Sequence, residues 1–257
     1  MFWTFAASEM VAGTALKEDP LCGVSIGCYW HVPLVELQIR TIRHTCGPVP
    51  ILISDDLSPD GRSERMREIC SKYPNVDFIS SESRIGHSGG DMAAFSRGVI
   101  WAKKRGLHAI AKISNRWLCV APRWLQEGCK AMLEAHAAIS SDSCVEGPNV
   151  FPLRTEAALL DVDAWHRPDA LEYLHGRPTR AACEHIIWHA VKLWFGGRMH
   201  PWKALNGPNR MRRAPGVLWH TNTPLEEYRQ LGEKMGVDLG PEFNTHGSHL
   251  IPGYQIG

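Results

Sequence analysis

The sequence predicts an α/β protein built on a doubly wound, mostly parallel sheet, with helices on both faces and a C-terminal elaboration. Three observations carry this. Apolar runs of strand length alternate with amphipathic stretches of helix length from Gly23 to Ile113. The run Val49, Ile51, Leu52, Ile53 is nearly continuous, the pattern of a strand buried on both faces. The connections are short, and short right-handed crossovers between such units produce a parallel sheet.

Gly23 to Tyr29 is the first strand. Val35, Ile39, Ile42 and Cys46 then form one apolar stripe over three helical turns, ended by Gly47-Pro48. The second strand stops at adjacent carboxylates, Asp55 and Asp56, followed by a Ser-Pro-Asp-Gly turn. In an open α/β sheet ligands bind beyond the carboxyl ends of the strands, so these two acids are placed to meet one; capping of the next helix is the competing reading. Met66, Ile69, Cys70 and Tyr73 mark a second helix, and Val76 to Ser80 a third strand. The glycine-rich turn RIGHSGGD leads into a helix carrying Met92, Phe95, Val99 and Ala102, closed by Gly106. His108 to Ile113 is a fourth strand.

Pro122 is expected to open the next helix, through Leu125, Cys129, Met132 and His136. Asp142 to Arg154 reads as loop and strand, Leu159 to Trp165 as a short element, and Ala181 to Phe195 as a helix with Cys183, Ile187, Val191 and Trp194 on one face. Thr223-Pro-Leu-Glu226 is a capping box, from which a last helix runs to Gly236. The domain reading is an N-terminal arm (1–20), a half from 21 to 140 and a second half from 141 to 257, all within one domain.

Composition narrows the function. With 257 residues and a net charge of +1, the chain can bury a large core and is not a dedicated nucleic-acid binder. Its 8 cysteines contain no CxxC pair and read as reduced core residues of a cytoplasmic protein. The apolar N-terminus lacks a basic n-region and carries Glu9, so neither a signal peptide nor a membrane span is expected.

GVSIGCYW, ISDDLSPDG, RIGHSGGDMAAFSRGVIWA and the strand ending at Ser114-Asn115-Arg116 before APRWL, taken in that order, resemble family-2-like glycosyltransferases of the GT-A fold. The likeness covers about residues 22 to 195, and its DDxSxD element is the most specific part. It implies a nucleotide-sugar donor, with UDP as the default. Tyr29 would meet the base by ring contact and Asp56 by accepting from a base N–H, while Asp55 supports the turn. The loop from Gly86 through Ser88, Gly89 and Gly90 to Asp91 would lie against nucleotide and sugar. A helix-entry turn is the alternative for that loop.

The chain departs from the family where a metal-binding Asp-x-Asp belongs. Residues 112 to 117 read KISNRW and hold no carboxylate. The usual Mg²⁺ or Mn²⁺ ligands are therefore absent, which leaves a metal-free enzyme, ligands from elsewhere, or lost catalysis. His246 and His249 in the tail are a second potential source of ligands. His185 and His189 share a helix face, but their order relative to Glu184 is not that of a zinc protease.

A leaving diphosphate needs positive charge. Between Glu184 and Glu226 there is no acidic residue, yet Lys192, Arg198, Lys203, Arg210, Arg212 and Arg213 lie there. This glycine-hinged stretch is expected to fold over the phosphates as a clamp through Arg198, Lys203, Arg210 and Arg212. Lys112 and Arg116 would contribute from below, beside Ser114 and Asn115. A solvated loop or a patch for a polyanionic acceptor is the alternative. The resemblance implies Glu184, at the position of the family's Glu-Asp pair, as the general base of an inverting transfer, with Asp163 and Glu146 in reserve. Trp165, His185 and Trp188 are expected on the acceptor side, with Trp202 and Trp219 in the same half of the chain.

The reading is a glycosyltransferase (hexosyl- or pentosyl-) moving a sugar to the hydroxyl of a carbohydrate or other acceptor. Its alternatives are a catalytically silent nucleotide-sugar-binding or scaffolding protein on the same fold and, as a lesser one, an enzyme acting on a nucleic-acid acceptor.

Overall fold

A computed structural model describes residues 18–141, 144–146, 149–151, 153–175, 183–202, 216–219, 223–241 and 243. The first four strands are β1 (Cys22–Cys28), β2 (Ile51–Asp55), β3 (Val76–Ser80) and β4 (Ala109–Ser114). Between them run α1 (Val32–Cys46), α2 (Arg62–Ser71) and α3 (His87–Lys104). Next come β5 (Trp117–Cys119), α4 (Trp124–Glu134), β6 (Ile139–Ser141), β7 (Cys144–Glu146), β8 (Asn149–Phe151) and β9 (Ala157–Asp161). The chain continues with α5 (Val162–Trp165), α6 (Pro168–His175), α7 (Cys183–Phe195), β10 (Met199–Pro201), β11 (Val217–Trp219) and α8 (Leu225–Met235).

The main sheet has seven strands in the order β10-β6-β9-β4-β1-β2-β3. All run parallel except β9, which is antiparallel to both β4 and β6. The sheet crosses the boundary at residue 140, so both halves of the chain share it. Alternate side chains of the central strands feed opposite faces. Val24, Ile26, Ile51, Ile53 and Ala111 pack under α1, α2 and α4. Leu52, Ile110, Ala158 and Leu160 pack under α3 and α7 with Phe95, Trp165 and Phe195. A third cluster, Leu34, Leu37, Leu118, Tyr228 and Leu231, seats α8 on α1.

Several expectations are corrected. The stretch after Gly86 is not an open turn: α3 begins at His87. Pro122 does not open the fourth helix, which starts at Trp124 after Arg123 takes a left-handed backbone (φ 56°). The last helix begins at Leu225, with Pro224 in the cap position. Trp202 is core, 5.5 Å between ring centroids from Trp117. The seven described cysteines are all buried and unbridged. No described helix is long and apolar enough to cross a membrane.

Candidate functional site

The sheet topology determines where the cleft lies. From β1 the chain winds outward through β2 and β3, then returns to place β4 on the other side of β1. That reversal parts the loops after β1 and β4 and leaves a crevice at the carboxyl ends of the strands. Gly27, Cys28 and Tyr29 from the end of β1 line it, with His31 at the entry to α1. Asp56 follows β2; Arg84 and Gly86 follow β3; Gly90 and Asp91 come from the first turns of α3; Ser114 ends β4, and Asn115 and Arg116 follow it.

The two carboxylates after β2 divide the work. Asp55 is fully enclosed and accepts hydrogen bonds from Ser58 N (3.0 Å), Ser58 Oγ (2.5 Å) and Ser80 Oγ (3.1 Å). Ser58 Oγ in turn accepts from Trp30 N at 2.8 Å, which supports Trp30 in a left-handed conformation (φ 74°). Asp55, grouped with the donor-binding residues as support for the turn, holds that turn and does not itself line the cleft. Asp56 does line the cleft. Its Oδ1 accepts from Ile85 N and its Oδ2 from Gly86 N, both at 2.9 Å. Burial raises its carboxyl above the ordinary value, opposed by those two amides and by Arg84. Oδ1 also accepts from Ser81 Oγ at 3.5 Å, and Oδ2 retains a lone pair for a ligand.

This anchoring explains the glycines. A Cβ on Gly90 would lie 2.9 Å from Asp56 Oδ2, so only glycine lets the first turn of α3 pass so close. The helix N-terminus thus opens beside the cleft, where free backbone N–H groups favour anions. Gly89 lies in the same turn but does not line the cleft, and the Ser88 side chain lies outside the described residues.

Tyr29 presents its ring with the Arg84 guanidinium 4.1 Å from the centroid. His31 is held near a pKa of about 4 by burial, then by Arg116 and Arg62, so its imidazole is neutral near pH 7. Burial, with Asp55 beside it, pushes the Cys28 thiol well up and keeps it unreactive. Arg84 and His31 were missed from sequence. Pro33 near the start of α1 was the available signal, because it leaves residues 29 to 31 in the strand–helix turn.

Lys112 is corrected. It is fully buried in β4, pairs with Asp91 and donates to Thr155 O at 2.8 Å, so it does not touch the cleft. Asp91 keeps its Oδ2 enclosed without a partner, as Asn115 does its Nδ2. On the far side of Thr155 stands Glu184, in the first turn of α7. It accepts from Thr155 Oγ1 and from Cys183 Sγ, both at 3.3 Å. Glu156 faces the same cluster, and burial, then the nearby Glu184, raises its carboxyl. Its Oε2 has no partner although its side chain is a quarter exposed. Glu184 thus sits behind the Asp91 wall, on the β9 side of the cleft, opposite Tyr29 and Asp56.

Three more expected site residues fall at the other end of the sheet. Asp163 is exposed and pairs with Lys103 at 2.6 Å. Trp165 is fully buried, 4.7 Å from the Phe95 ring, and its Nε1 donates to Ala138 O at 2.8 Å. Arg198 donates to His136 O at 3.0 Å and to Phe195 O at 3.2 Å. Trp188 packs against the α3–α7 core and His185 is exposed; neither lines the cleft. His189 meets the Tyr173 hydroxyl at 2.7 Å. Lys203, Arg210, Arg212, Arg213, His246 and His249, and the side chains of Glu146 and Trp219, lie outside the described residues.

The residues at the end of β4 do not fit a hard divalent cation, which needs several oxygen ligands. Ser114, Asn115 and Arg116 bring one amide, one hydroxyl and a guanidinium. Asp56 lies across the cleft, anchored by two amides, and Asp91 is paired with Lys112. Among the described residues no three His, Cys, Asp or Glu side chains form a potential metal group.

Fold and cleft together define a GT-A-type α/β architecture. No family model and no curated protein matches the chain. Among solved structures, it is similar to the mannosyltransferase PcManGT from Pyrobaculum calidifontis in complex with GDP-Man and Mn²⁺. The identity is 19%, the TM-score 0.53, and the match covers 72% of this chain and 55% of that one. It is similar to TarS 1–349 from S. aureus at 11% identity and TM-score 0.52, over 91% of this chain and 70% of that one. The bifunctional glycosyltransferase WbbM matches at 11% identity and TM-score 0.50, over 95% and 53%. The chain thus spans little more than half of the mannosyltransferase and of WbbM. At such identities the likeness establishes the fold.

Proposed function

We propose that the chain transfers a sugar from a nucleotide-linked donor, by default a UDP-sugar, to an acceptor hydroxyl. The observation that carries this is the convergence of Tyr29 and Asp56 on one cleft, beside the N-terminus of α3, at the switch point of the sheet. The base packs beside the Tyr29–Arg84 pair, with Asp56 accepting its imide N–H. The diphosphate runs past the α3 N-terminus toward Arg116. The sugar then reaches the Asp91 wall, where the unpartnered Oδ2 suits a hydroxyl.

On that side Glu184 is the nearest carboxylate not held by a cation. It takes the proton of the acceptor hydroxyl as that oxygen attacks the anomeric carbon, and the nucleoside diphosphate leaves from the opposite face. The product has inverted configuration. Glu184→Gln is expected to lower turnover about 100- to 10,000-fold while nucleotide affinity holds. A thermal-shift series with UDP, GDP and their sugars tests the reading, since a ligand bound at 100 times its Kd adds about 2.7 kcal/mol to folded-state stability. Absence of any shift from every nucleotide would overturn it.

The position of Glu184 outside the cleft lining favours a second reading, a nucleotide-sugar binder without turnover. Binding with no transfer or hydrolysis of any donor, unchanged in Glu184→Gln, would select that reading.

A further inference from the structure

We infer that the cleft binds the donor diphosphate without a divalent cation, its charge being met by Arg116 and Arg84 while buried Lys112 cancels Asp91. The inference rests on the nucleotide-sugar reading and specifies how that site handles charge.

The charges within reach make the argument. Two guanidiniums and two carboxylates line the cleft. Asp56 is bound by two backbone amides, and it faces Arg84. Asp91 alone would repel a diphosphate, but it is paired with Lys112, whose side chain is 0% exposed. A fully buried lysine is rare unless paired, and a buried charge left alone is costly, so this pair must act as a unit. Counting Lys112 with the described lining residues, three cations stand with Asp56 and Asp91, while Glu156 and Glu184 lie behind the Asp91 wall. Arg116 and Asn115 close the stretch between the α3 N-terminus and the end of β4.

That stretch is also rich in donors. Asn115 is 5% exposed and lines the cleft, yet its Nδ2 has no partner. An amide N–H left unmade in a buried position is expensive, and a phosphate oxygen would satisfy it. A divalent cation would instead meet this N–H and the Arg116 guanidinium with like-signed charge. The donor set at the end of β4 is therefore one for an anion.

Calorimetric titration of UDP and of uridine, in EDTA and in Mn²⁺, tests this. UDP affinity is expected to change less than about threefold between the two conditions. Arg116→Gln should weaken UDP about 10- to 100-fold and leave uridine unchanged, because only the phosphates are charged. Lys112→Met should weaken UDP several-fold by freeing the Asp91 carboxylate, and Lys112→Met with Asp91→Asn should recover it. If Lys112→Met does not fold, the double variant, which leaves no buried charge alone, must still bind UDP about as tightly as the parent chain. UDP binding that requires Mn²⁺, or that is indifferent to Arg116→Gln, overturns the inference and leaves the nucleotide-sugar reading standing. Failure of UDP, GDP and uridine alike in both conditions overturns both.

Discussion

The two edges of the sheet hold the same kinds of residue in opposite states. At the carboxyl edge of the parallel strands, Tyr29, Asp56, Arg84, Asn115 and Arg116 converge on an open cleft, with enclosed polar atoms left without partners. At the other edge, Asp163 meets Lys103, Arg198 caps carbonyls of His136 and Phe195, and Trp165 spends its N–H on Ala138. Nothing polar named there waits for a ligand. Unspent capacity that lines the cleft, at Asp91 Oδ2 and Asn115 Nδ2, marks the ligand-facing edge rather than residue type; Arg43 Nε and Gln126 Oε1 are also unpartnered but line no part of it.

The contrast can be broken from either side. The largest expected effect is Trp165→Ala, which removes a fully buried indole packed on Phe95 and Phe195. It should cost about 3–5 kcal/mol of stability, measured by urea unfolding, without altering nucleotide affinity wherever the variant is folded. A selective loss of nucleotide binding would place Trp165 in the site after all.

Next comes His31, whose pKa is lowered from 6.5 to about 4 in the folded chain. The unfolded chain takes up the proton first as pH falls, so stability is complete above pH 6.5 and declines toward pH 4. The full loss is about 3 kcal/mol. His31→Gln should flatten that slope in unfolding curves taken across the window. A slope that persists unchanged would mean the imidazole is not enclosed at the cleft.

The smallest effect belongs to the exposed pair at the far edge. Asp163→Asn should change stability by about 0.5 kcal/mol or less and leave turnover and binding alone. A drop in turnover beyond a few-fold would restore Asp163 as a reserve base and erase the distinction between the edges.

Much of this was legible beforehand. Val76 to Ser80 has the bounds its apolar pattern predicts, and Tyr29 and Asp56 fall at the tips of two neighbouring strands, as expected. What failed did so for physical reasons. Three glycines after Ile85 carry low helix propensity and read as a turn, yet Asp56 anchors the segment and makes room for a helix that only Gly90 permits. Asp163 is expected as a reserve base and Trp165 as an acceptor-side indole, and both follow a strand. That strand, β9, runs against its neighbours, so its start at Thr155 and Glu156 meets the cleft and its end does not.

From sequence alone came the alternation of elements and the identity of the tips of β1, β2 and β4, since parallel strands deliver every tip to one edge. Only the assembled structure decided that Lys112 answers Asp91, that Thr155 ties that pair to Glu184, and which way β9 points. Those facts depend on contacts between residues far apart in the chain, and periodicity records a residue's face and not its distant partner.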